Sequence, residues 1–335
     1  MRSKKLHIVT QNKMKHLKKL STNQNIINAL AIDQRNSLKE MINVKNPEVV
    51  EDQEIKNYKI LVSKVLTKYA SSILLDPEYG VEAAQKRDEN AGLLISYEIS
   101  GYNKEEEGRF PRLLPDLSVK RIKNIGANAV KILLYYDVDE PDWINAQKKA
   151  FVERVGSECV GEDIPYFLEI VTYDSNITNK ESIEFAKMKP HKVIESMKEF
   201  SNEKYNVDVL KIEAPVNMKF VEGYETTDEV VYTEDEALEF FEKQSKATNL
   251  PFIFLSAGVS AQLFIETIEF AKKGNSEFSG VLCGRATWKD SVSVFVKDGF
   301  RATDDWLNTQ GIDNINEINA VVEKCATPFT KRVRI

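Results

Sequence analysis

Short runs of Ile, Val, Leu, Phe and Tyr alternate along this chain with longer segments of helical periodicity. Near-continuous apolar runs, as opposed to strictly alternating ones, are typical of strands that are covered on both faces. The runs therefore predict β-strands in βα units with parallel pairing. Eight such runs occur, at residues 26–33, 72–76, 92–98, 129–137, 165–173, 207–215, 251–256 and 280–285.

The segments between these runs have the pattern of amphipathic helices. Segment 57–69 repeats apolar residues every three or four positions, which places them on one helical face. Thr233 followed by Glu236 is a capping-box pattern, and it predicts that a helix over 234–247 begins there. The same periodicity predicts helices in three further segments, 118–125, 147–162 and 263–273.

Eight βα units in 335 residues predict an α/β fold, a single-domain (β/α)8 TIM barrel. The alternative is an open doubly wound sheet, which needs fewer strands and a topological switch point. We expect a basic N-terminal helical extension at 1–24 and the barrel, with C-terminal helices, over 25–335. The lysine-rich extension is expected to be a solvated helix outside the barrel, with binding of a protein partner as the alternative role.

Composition narrows the class of protein. The chain has 46 Lys plus Arg and 52 Asp plus Glu, a net charge of −6, which argues against a general nucleic-acid binder. No apolar run approaches the roughly 20 residues of a membrane helix, so no membrane partner is expected.

The cysteines, Cys159, Cys283 and Cys325, show no paired spacing, and the N-terminus lacks the apolar stretch of a secretory signal. We therefore expect reduced thiols in a cytoplasmic protein.

Charged residues interrupt three consecutive apolar runs, the fourth to the sixth. They are Lys131, Glu169 and Lys211, at positions where an unpaired buried charge would cost several kcal/mol. Neighbouring strands lie about 4.8 Å apart, so residues at similar heights can meet in the mouth of a barrel. The pattern predicts a Lys–Glu–Lys cluster, and a static ion triad is the alternative to a chemical role.

A lysine attacks a ketone or an aldehyde only as the free amine, and an ordinary lysine, with a pKa of about 10.4, is almost fully protonated at pH 7. A second nearby cation together with burial lowers a lysine pKa. A glutamate between two lysines can transfer protons during carbinolamine formation and C–C cleavage. The cluster therefore indicates Schiff-base chemistry, without deciding which lysine is the nucleophile.

Glycine, serine and arginine stand at the ends of the last two predicted strands. Ser256 ends the seventh run and Gly258 comes shortly after it, while Gly284 and Arg285 end the eighth. Loops after these two strands form the usual phosphate site of barrels, and an arginine adds a charge-assisted contact. Singly these are ordinary turn residues, but their placement predicts a phosphate site.

The number and positions of the histidines indicate whether a zinc site is to be expected. Of three histidines, His7 and His16 lie in the N-terminal segment, which leaves His191 as a helix-start or surface residue. A histidine-rich zinc site is therefore not expected. The glycine-rich nucleotide-binding and serine-hydrolase motifs are also missing from the sequence.

Several segments resemble the tagatose 1,6-bisphosphate aldolase family, over about residues 26–328. The resemblance is carried by ALAIDQR, YFLEI, AVKILLYY, DVLKIEAP, LSAGVSAQLF and GVLCGRATW. It implies a class I aldolase of (β/α)8 fold, without metal or other cofactor, that splits a small-molecule ketose bisphosphate through a lysine Schiff base. The implied reaction converts D-tagatose 1,6-bisphosphate to dihydroxyacetone phosphate and D-glyceraldehyde 3-phosphate.

The resemblance also implies roles for individual residues. Lys211 in DVLKIEAP is then the Schiff-base residue, Glu169 the proton-transfer residue, and Lys131 the second lysine, which tunes the amine or binds phosphate. Asp33, counted among the catalytic residues, and Gln34 are similar to the substrate-contacting pair of the family. The phosphate of the dihydroxyacetone half is implied to bind at Ser256, Leu282, Gly284 and Arg285.

The sequence departs from the family pattern after the DQR motif. Asn36–Ser37 stand where the family usually has Gly-Ala, and asparagine substitutes only partly for the conformational freedom of glycine, so the loop near Asp33 is expected to differ. Two alternatives remain open: a sugar-phosphate-binding regulatory barrel, and an aldolase for a related phosphorylated or sulfonated ketose. We further expect a homo-oligomer, with a dimer among the options.

Overall fold

The computed structural model describes residues 6–99, 106–225 and 229–335. Within these ranges eight parallel strands close into a barrel in chain order, β2 to β9, and a separate parallel pair joins β1 to β10. The strands are β1 His7–Ile8, β2 Ile27–Ile32, β3 Ser72–Leu75, β4 Gly92–Ser96, β5 Ala129–Tyr136, β6 Tyr166–Thr172, β7 Val209–Ile212, β8 Phe252–Leu255, β9 Gly280–Cys283 and β10 Val333–Arg334. The predicted eight-stranded (β/α)8 barrel is confirmed.

One helix, α1 Gln11–Lys19, precedes the barrel strands, and the other helices follow them and surround the barrel. They are α2 Asn36–Ile42, α3 Asp52–Leu66, α4 Val81–Lys86, α5 Val119–Asn124, α6 Asp142–Gly161, α7 Ile183–Phe200, α8 Glu234–Lys246, α9 Ala261–Lys273, α10 Arg285–Trp288, α11 Ser291–Trp306 and α12 Ile312–Cys325. The capping box of Thr233 and Glu236 begins α8 as predicted. In the ranges described, no helix is long and apolar enough to cross a membrane.

Helix α3 begins earlier than the apolar pattern predicts. It starts at Asp52 instead of 57, because Glu51 and Glu54 form a capping box there. The first turn is mostly polar and exposed, so the apolar periodicity does not extend into it. Capping chemistry, rather than the buried face, sets this boundary.

The inward faces of the barrel strands form the lower part of the core. On three neighbouring strands the residues Ala129, Phe167 and Val209 belong to this interior cluster. Side chains alternate between the two faces of a strand, so the residues two positions further on, toward the carboxyl ends, also point inward. Those residues are Lys131, Glu169 and Lys211, which places the charged cluster directly above an apolar floor.

The N-terminal segment closes the bottom of the barrel. Residues 1–5 of the predicted extension lie outside the described residues. Met14 and Leu17 of α1 are buried against the interior cluster, and the Lys13 ammonium lies 2.7 Å from Asp208. The helix does lie outside the strands, but it is not simply solvated as expected, because the apolar residues spaced along its basic sequence give it one buried face.

Replacing Leu17 by alanine is expected to lower the free energy of unfolding by about 2–5 kcal/mol, because Leu17 is fully buried in the barrel floor and the change leaves a cavity. Urea denaturation followed by circular dichroism measures the effect. The exposed Lys15 on the same helix is the control, and its alanine variant should stay within about 0.5 kcal/mol of the unmodified chain. Equal stability of both variants would show that α1 does not support the barrel.

Candidate active site

A cavity of about 720 Å³ opens at the carboxyl ends of the barrel strands. This end is where barrels of this type carry their active sites. The structure brings every site residue predicted from the sequence to its wall, namely Asp33, Gln34, Lys131, Glu169, Lys211, Ser256, Leu282, Gly284 and Arg285. Lys131, Glu169, Lys211 and Leu282 lie in β5, β6, β7 and β9, and the others follow the ends of β2, β8 and β9.

Glu169 bridges the two lysines at the base of this cavity. Its Oε2 lies 2.7 Å from Nζ of Lys131, and its Oε1 lies 2.7 Å from Nζ of Lys211. The strand register places Glu169 directly beside Lys211, whereas Lys131 is paired with Phe167, two residues before Glu169 on β6. The exposed fractions are 1% for Lys131, 4% for Lys211 and 8% for Glu169. One carboxylate therefore gives a direct path for a proton to or from either amine.

Lys131 is surrounded by carboxylates. Besides Glu169, its Nζ lies 2.9 Å from Oδ2 of Asp33 and 2.8 Å from Oε1 of Glu98. Burial acts to lower the pKa of Lys131, but the charges of Asp33, Glu169 and Glu98 outweigh burial and hold that pKa well above its ordinary value. Lys131 is therefore a permanent cation, unsuited to attack a carbonyl carbon.

The carboxylates of Asp33 and Glu169 are held in the ionised form. Burial acts to raise the pKa of each, but the positive charges of Lys131 and Lys211 outweigh burial and lower both pKa values. Both groups can therefore accept protons or hydrogen bonds at neutral pH. The cavity combines two buried acceptors with a fixed cation and a second lysine.

Glycines let two loops approach closely at the β8 and β9 side of the cavity. Gly258 has φ +83°, and a Cβ atom there would lie 2.8 Å from Cζ of Arg285. A Cβ atom at Gly284 would lie 2.7 Å from the main-chain oxygen of Ala31. Glycine at 258 leaves room for the guanidinium of Arg285, and glycine at 284 lets the chain pass close to Ala31. Arg285 and Ser256 both line this part of the cavity, a suitable place for an anionic group.

Asn36 stands at the point where the sequence departs from the family pattern after the DQR motif. Asn36 is the first residue of α2 and has helical backbone geometry. Because no left-handed residue is required at this position, asparagine is tolerated there. Asn36 and Ser37 both line the cavity.

Two cavity residues, Glu98 and Arg35, received no role from the sequence. Glu98 lies just beyond β4, and its main-chain oxygen accepts a 2.7 Å hydrogen bond from Nη2 of Arg35. Nη1 of Arg35 donates to Glu78 at 2.5 Å. The position of Glu98 at the end of an apolar run was a usable signal, whereas nothing in the pattern distinguished Arg35 from a surface residue.

Further lysines line the outer part of the cavity, beyond β6 and β7. They are Lys180, Lys189 and Lys219; Lys180 donates to the main-chain oxygen of Thr172, and Lys219 pairs with Glu181 at 2.6 Å. His191 lies elsewhere, half exposed on α7 and 3.0 Å from Asp139. Among the described residues, no group of three or more His, Cys, Asp or Glu side chains is arranged to hold a metal ion.

Similarity to curated proteins extends over almost the whole chain. Tagatose 1,6-diphosphate aldolase 1 of Enterococcus faecalis is 56% identical over 97% of this chain and 99% of its own length. Tagatose 1,6-diphosphate aldolase of Staphylococcus epidermidis is 53% identical, over 96% and 99%. Tagatose 1,6-diphosphate aldolase 2 of Streptococcus mutans is also 53% identical, over 98% and 99%.

Solved structures are similar in fold at low sequence identity. Fructose-bisphosphate aldolase of Plasmodium falciparum matches 98% of this chain and 99% of its own, with a TM-score of 0.66 at 15% identity. An archaeal fructose 1,6-bisphosphate aldolase matches 89% and 98%, with a TM-score of 0.55 at 14% identity. The family model described as DeoC/LacD family aldolase matches residues 27–290. Through this match and its relatives above 50% identity, the chain belongs to the DeoC/LacD family of aldolases.

Proposed function

We propose that this chain is a class I aldolase that cleaves D-tagatose 1,6-bisphosphate to dihydroxyacetone phosphate and D-glyceraldehyde 3-phosphate through a Schiff base on Lys211. The observation that carries the proposal is Glu169 in contact with both Lys131 and Lys211 in the mouth of the barrel. The choice of substrate is supported by the relatives above 50% identity, which are named tagatose 1,6-diphosphate aldolases.

The first half of the reaction forms the Schiff base. Glu169 takes a proton from Lys211 through its 2.7 Å contact, and the free amine attacks C2 of the ketose. The C2 oxygen becomes a hydroxyl in the carbinolamine, and Glu169 returns a proton to it so that it leaves as water. Lys131 remains charged throughout and keeps Glu169 oriented between the two amines.

The second half breaks the C3–C4 bond. The iminium on Lys211 accepts the electron pair of that bond, and Asp33, ionised beside Lys131, takes the proton of the C4 hydroxyl as the aldehyde forms. Protonation of the enamine at C3 and hydrolysis of the imine then release dihydroxyacetone phosphate. Each proton removed in this sequence is returned in a later step, so the cycle balances without a redox partner.

Two cationic regions suit the two phosphates of the substrate. Arg285 with the backbone around Ser256, Leu282 and Gly284 is proposed to hold the phosphate of the dihydroxyacetone half, by the combination of exposed N–H groups and a guanidinium. The lysines of the outer cavity wall supply positive charge for the second phosphate.

A panel of ketose 1,6-bisphosphates, assayed for triose phosphate release with EDTA present, tests the proposal and its independence of metal. Tagatose 1,6-bisphosphate is expected to turn over at roughly 1 s⁻¹ or faster. Release from no member of the panel would contradict the aldolase reaction. Faster release from another ketose would keep the chemistry and change the substrate.

The regulatory barrel considered as an alternative has little support. It rested on the basic N-terminal segment and on Asn36. Helix α1 packs into the barrel floor, and Asn36 begins α2 with ordinary geometry. Neither observation favours a sensor over an enzyme.

Replacing Arg285 by alanine is expected to raise KM for the bisphosphate about 10- to 100-fold with a smaller change in kcat, because a charged hydrogen bond to phosphate is made in both the ground and transition states. Steady-state kinetics measures both constants. The exposed Arg301 on α11 lies outside the cavity and gives the matched control. An unchanged KM in R285A would exclude the phosphate role.

We also propose that the protein acts in the cytoplasm as a homo-oligomer, a dimer being the smallest. Its three cysteines are free and buried, which suits a reducing compartment. Val296 and Phe300 on α11 are about half exposed, at 52% and 51%, the kind of apolar surface that a second copy can cover. Light scattering of the purified protein measures the oligomeric state.

A further inference from the structure

The two carboxylate oxygens of Glu98 differ in their contacts within the described residues. Its Oε1 lies 2.8 Å from Nζ of Lys131, whereas Oε2 has no hydrogen-bond partner among the described residues and is shielded from solvent. The residue is 3% exposed and lines the cavity. Because a buried carboxylate oxygen without a hydrogen-bond donor is unfavourable, this oxygen indicates a donor group on the bound ligand.

The orientation of Glu98 is set by contacts at both its ends. Arg35 donates to its main-chain oxygen at 2.7 Å, and Lys131 holds Oε1. On the same wall, Oε1 of Gln34 and Nε of Arg35 are also buried, with no hydrogen-bond partner in the part of the chain that the structure describes. The wall therefore presents fixed polar atoms to a ligand that carries hydroxyl groups.

The position of Glu98 around the barrel indicates which part of the substrate reaches it. Glu98 follows β4, and in the closed order of strands β4 lies four places from β8 in either direction. Ser256, in the proposed phosphate site, follows β8, so Glu98 stands across the mouth from it. A ketose with its first phosphate at β8 and β9, C2 at Lys211 and its second phosphate at the outer lysines can bring its middle carbons toward Glu98. A carboxylate there would repel phosphate but accept a hydroxyl.

We propose that Oε2 of Glu98 accepts a hydrogen bond from the C5 hydroxyl of the ketose bisphosphate, which is the C2 hydroxyl of the aldehyde product. This inference rests on the proposed function. Asp33 and Glu98 contact the same Nζ of Lys131, at 2.9 and 2.8 Å, so they are adjacent acceptors for adjacent hydroxyls. Asp33 accepts the proton of the C4 hydroxyl, and Glu98 accepts a hydrogen bond from the C5 hydroxyl. Glu98 therefore favours aldehydes that carry a hydroxyl at this position.

Condensation of dihydroxyacetone phosphate with two aldehydes tests the contact. The aldehydes are glyceraldehyde 3-phosphate and the phosphate of 3-hydroxypropanal, which lacks the C2 hydroxyl. The unmodified enzyme is expected to prefer glyceraldehyde 3-phosphate about 10- to 100-fold in kcat/KM, the size expected for a hydrogen bond to a charged group. Equal rates with both aldehydes would overturn the proposal without any variant.

The Glu98→Gln variant replaces the carboxylate that accepts the hydrogen bond of the C5 hydroxyl by a neutral amide. This variant is expected to lose most of the preference for glyceraldehyde 3-phosphate, because only the reaction of that aldehyde slows. The rate at which dihydroxyacetone phosphate and borohydride label Lys211 should change less than about threefold. If both aldehydes and the labelling slow together, Glu98 acts only through Lys131 and the proposal is wrong.

Glu78→Gln is the matched control. Glu78 pairs with the other side of Arg35, is 43% exposed at its side chain and is not part of the cavity wall. This variant should keep the aldehyde preference. Loss of the aldehyde preference in E78Q would show that the preference depends on Arg35, and it would overturn the proposed contact between Glu98 and the C5 hydroxyl. An unmodified enzyme that condenses neither aldehyde would instead contradict the proposed function.

Discussion

Replacing Lys211 by methionine is expected to reduce kcat by about 10⁴-fold or more, because methionine fills the space of the lysine but cannot form the covalent intermediate. The measurement that checks the role directly is reduction with borohydride in the presence of dihydroxyacetone phosphate. The unmodified chain should gain mass irreversibly on the peptide that contains Lys211, and K211M should gain none.

Lys131→Met is the matched control for that experiment. Because three carboxylates keep Lys131 charged, its loss should slow labelling but leave the label on Lys211. A label that moves to Lys131 in K211M, or that disappears only in K131M, would reverse the assignment of the two lysines.

Replacing Glu169 by glutamine is expected to lower kcat by about 10²- to 10⁴-fold, the usual contribution of a general acid and base. Glutamine keeps the shape and can still contact Lys131, but it cannot take the proton of Lys211 or return one to the C2 oxygen. Single-turnover kinetics should show slower Schiff-base formation with dihydroxyacetone phosphate. A variant that keeps a tenth or more of kcat would mean that another group transfers the proton.

The same variant has an expected effect on stability. Since the folded-state pKa of Glu169 lies below its ordinary value, ionisation of this group stabilises the unmodified fold above about pH 4.3 and ceases to do so as the pH falls through the folded-state pKa. E169Q lacks this contribution. The difference in free energy of unfolding between the two proteins should therefore shrink from pH 7 to acid, as urea denaturation can measure.

The two parts of the site differed in how well the sequence predicted them. Lys131, Glu169 and Lys211 were recognisable because a charge inside an apolar strand is costly and needs a reason. Glu98 stands at the end of its apolar run, a weaker signal than a charge inside a strand, and Arg35 lies in a loop. Their importance depends on distances between segments that are remote in the chain, which residue patterns do not contain.

The sequence by itself determined the eight strands, the helices between them and the carboxyl ends that carry the site, because these follow from local periodicity and from the rule that parallel strands end on one face. Its resemblance to a family singled out Lys211. Only the tertiary structure decided that α1 is a floor of the barrel and that Glu169 bridges both lysines. It also decided that Lys131 is held as a cation and that one oxygen of Glu98 is buried without a hydrogen-bond donor among the described residues. These features depend on the register of the strands and on the combined electrostatic effect of neighbouring charges. Both arise only when the barrel closes and brings remote segments of the chain together.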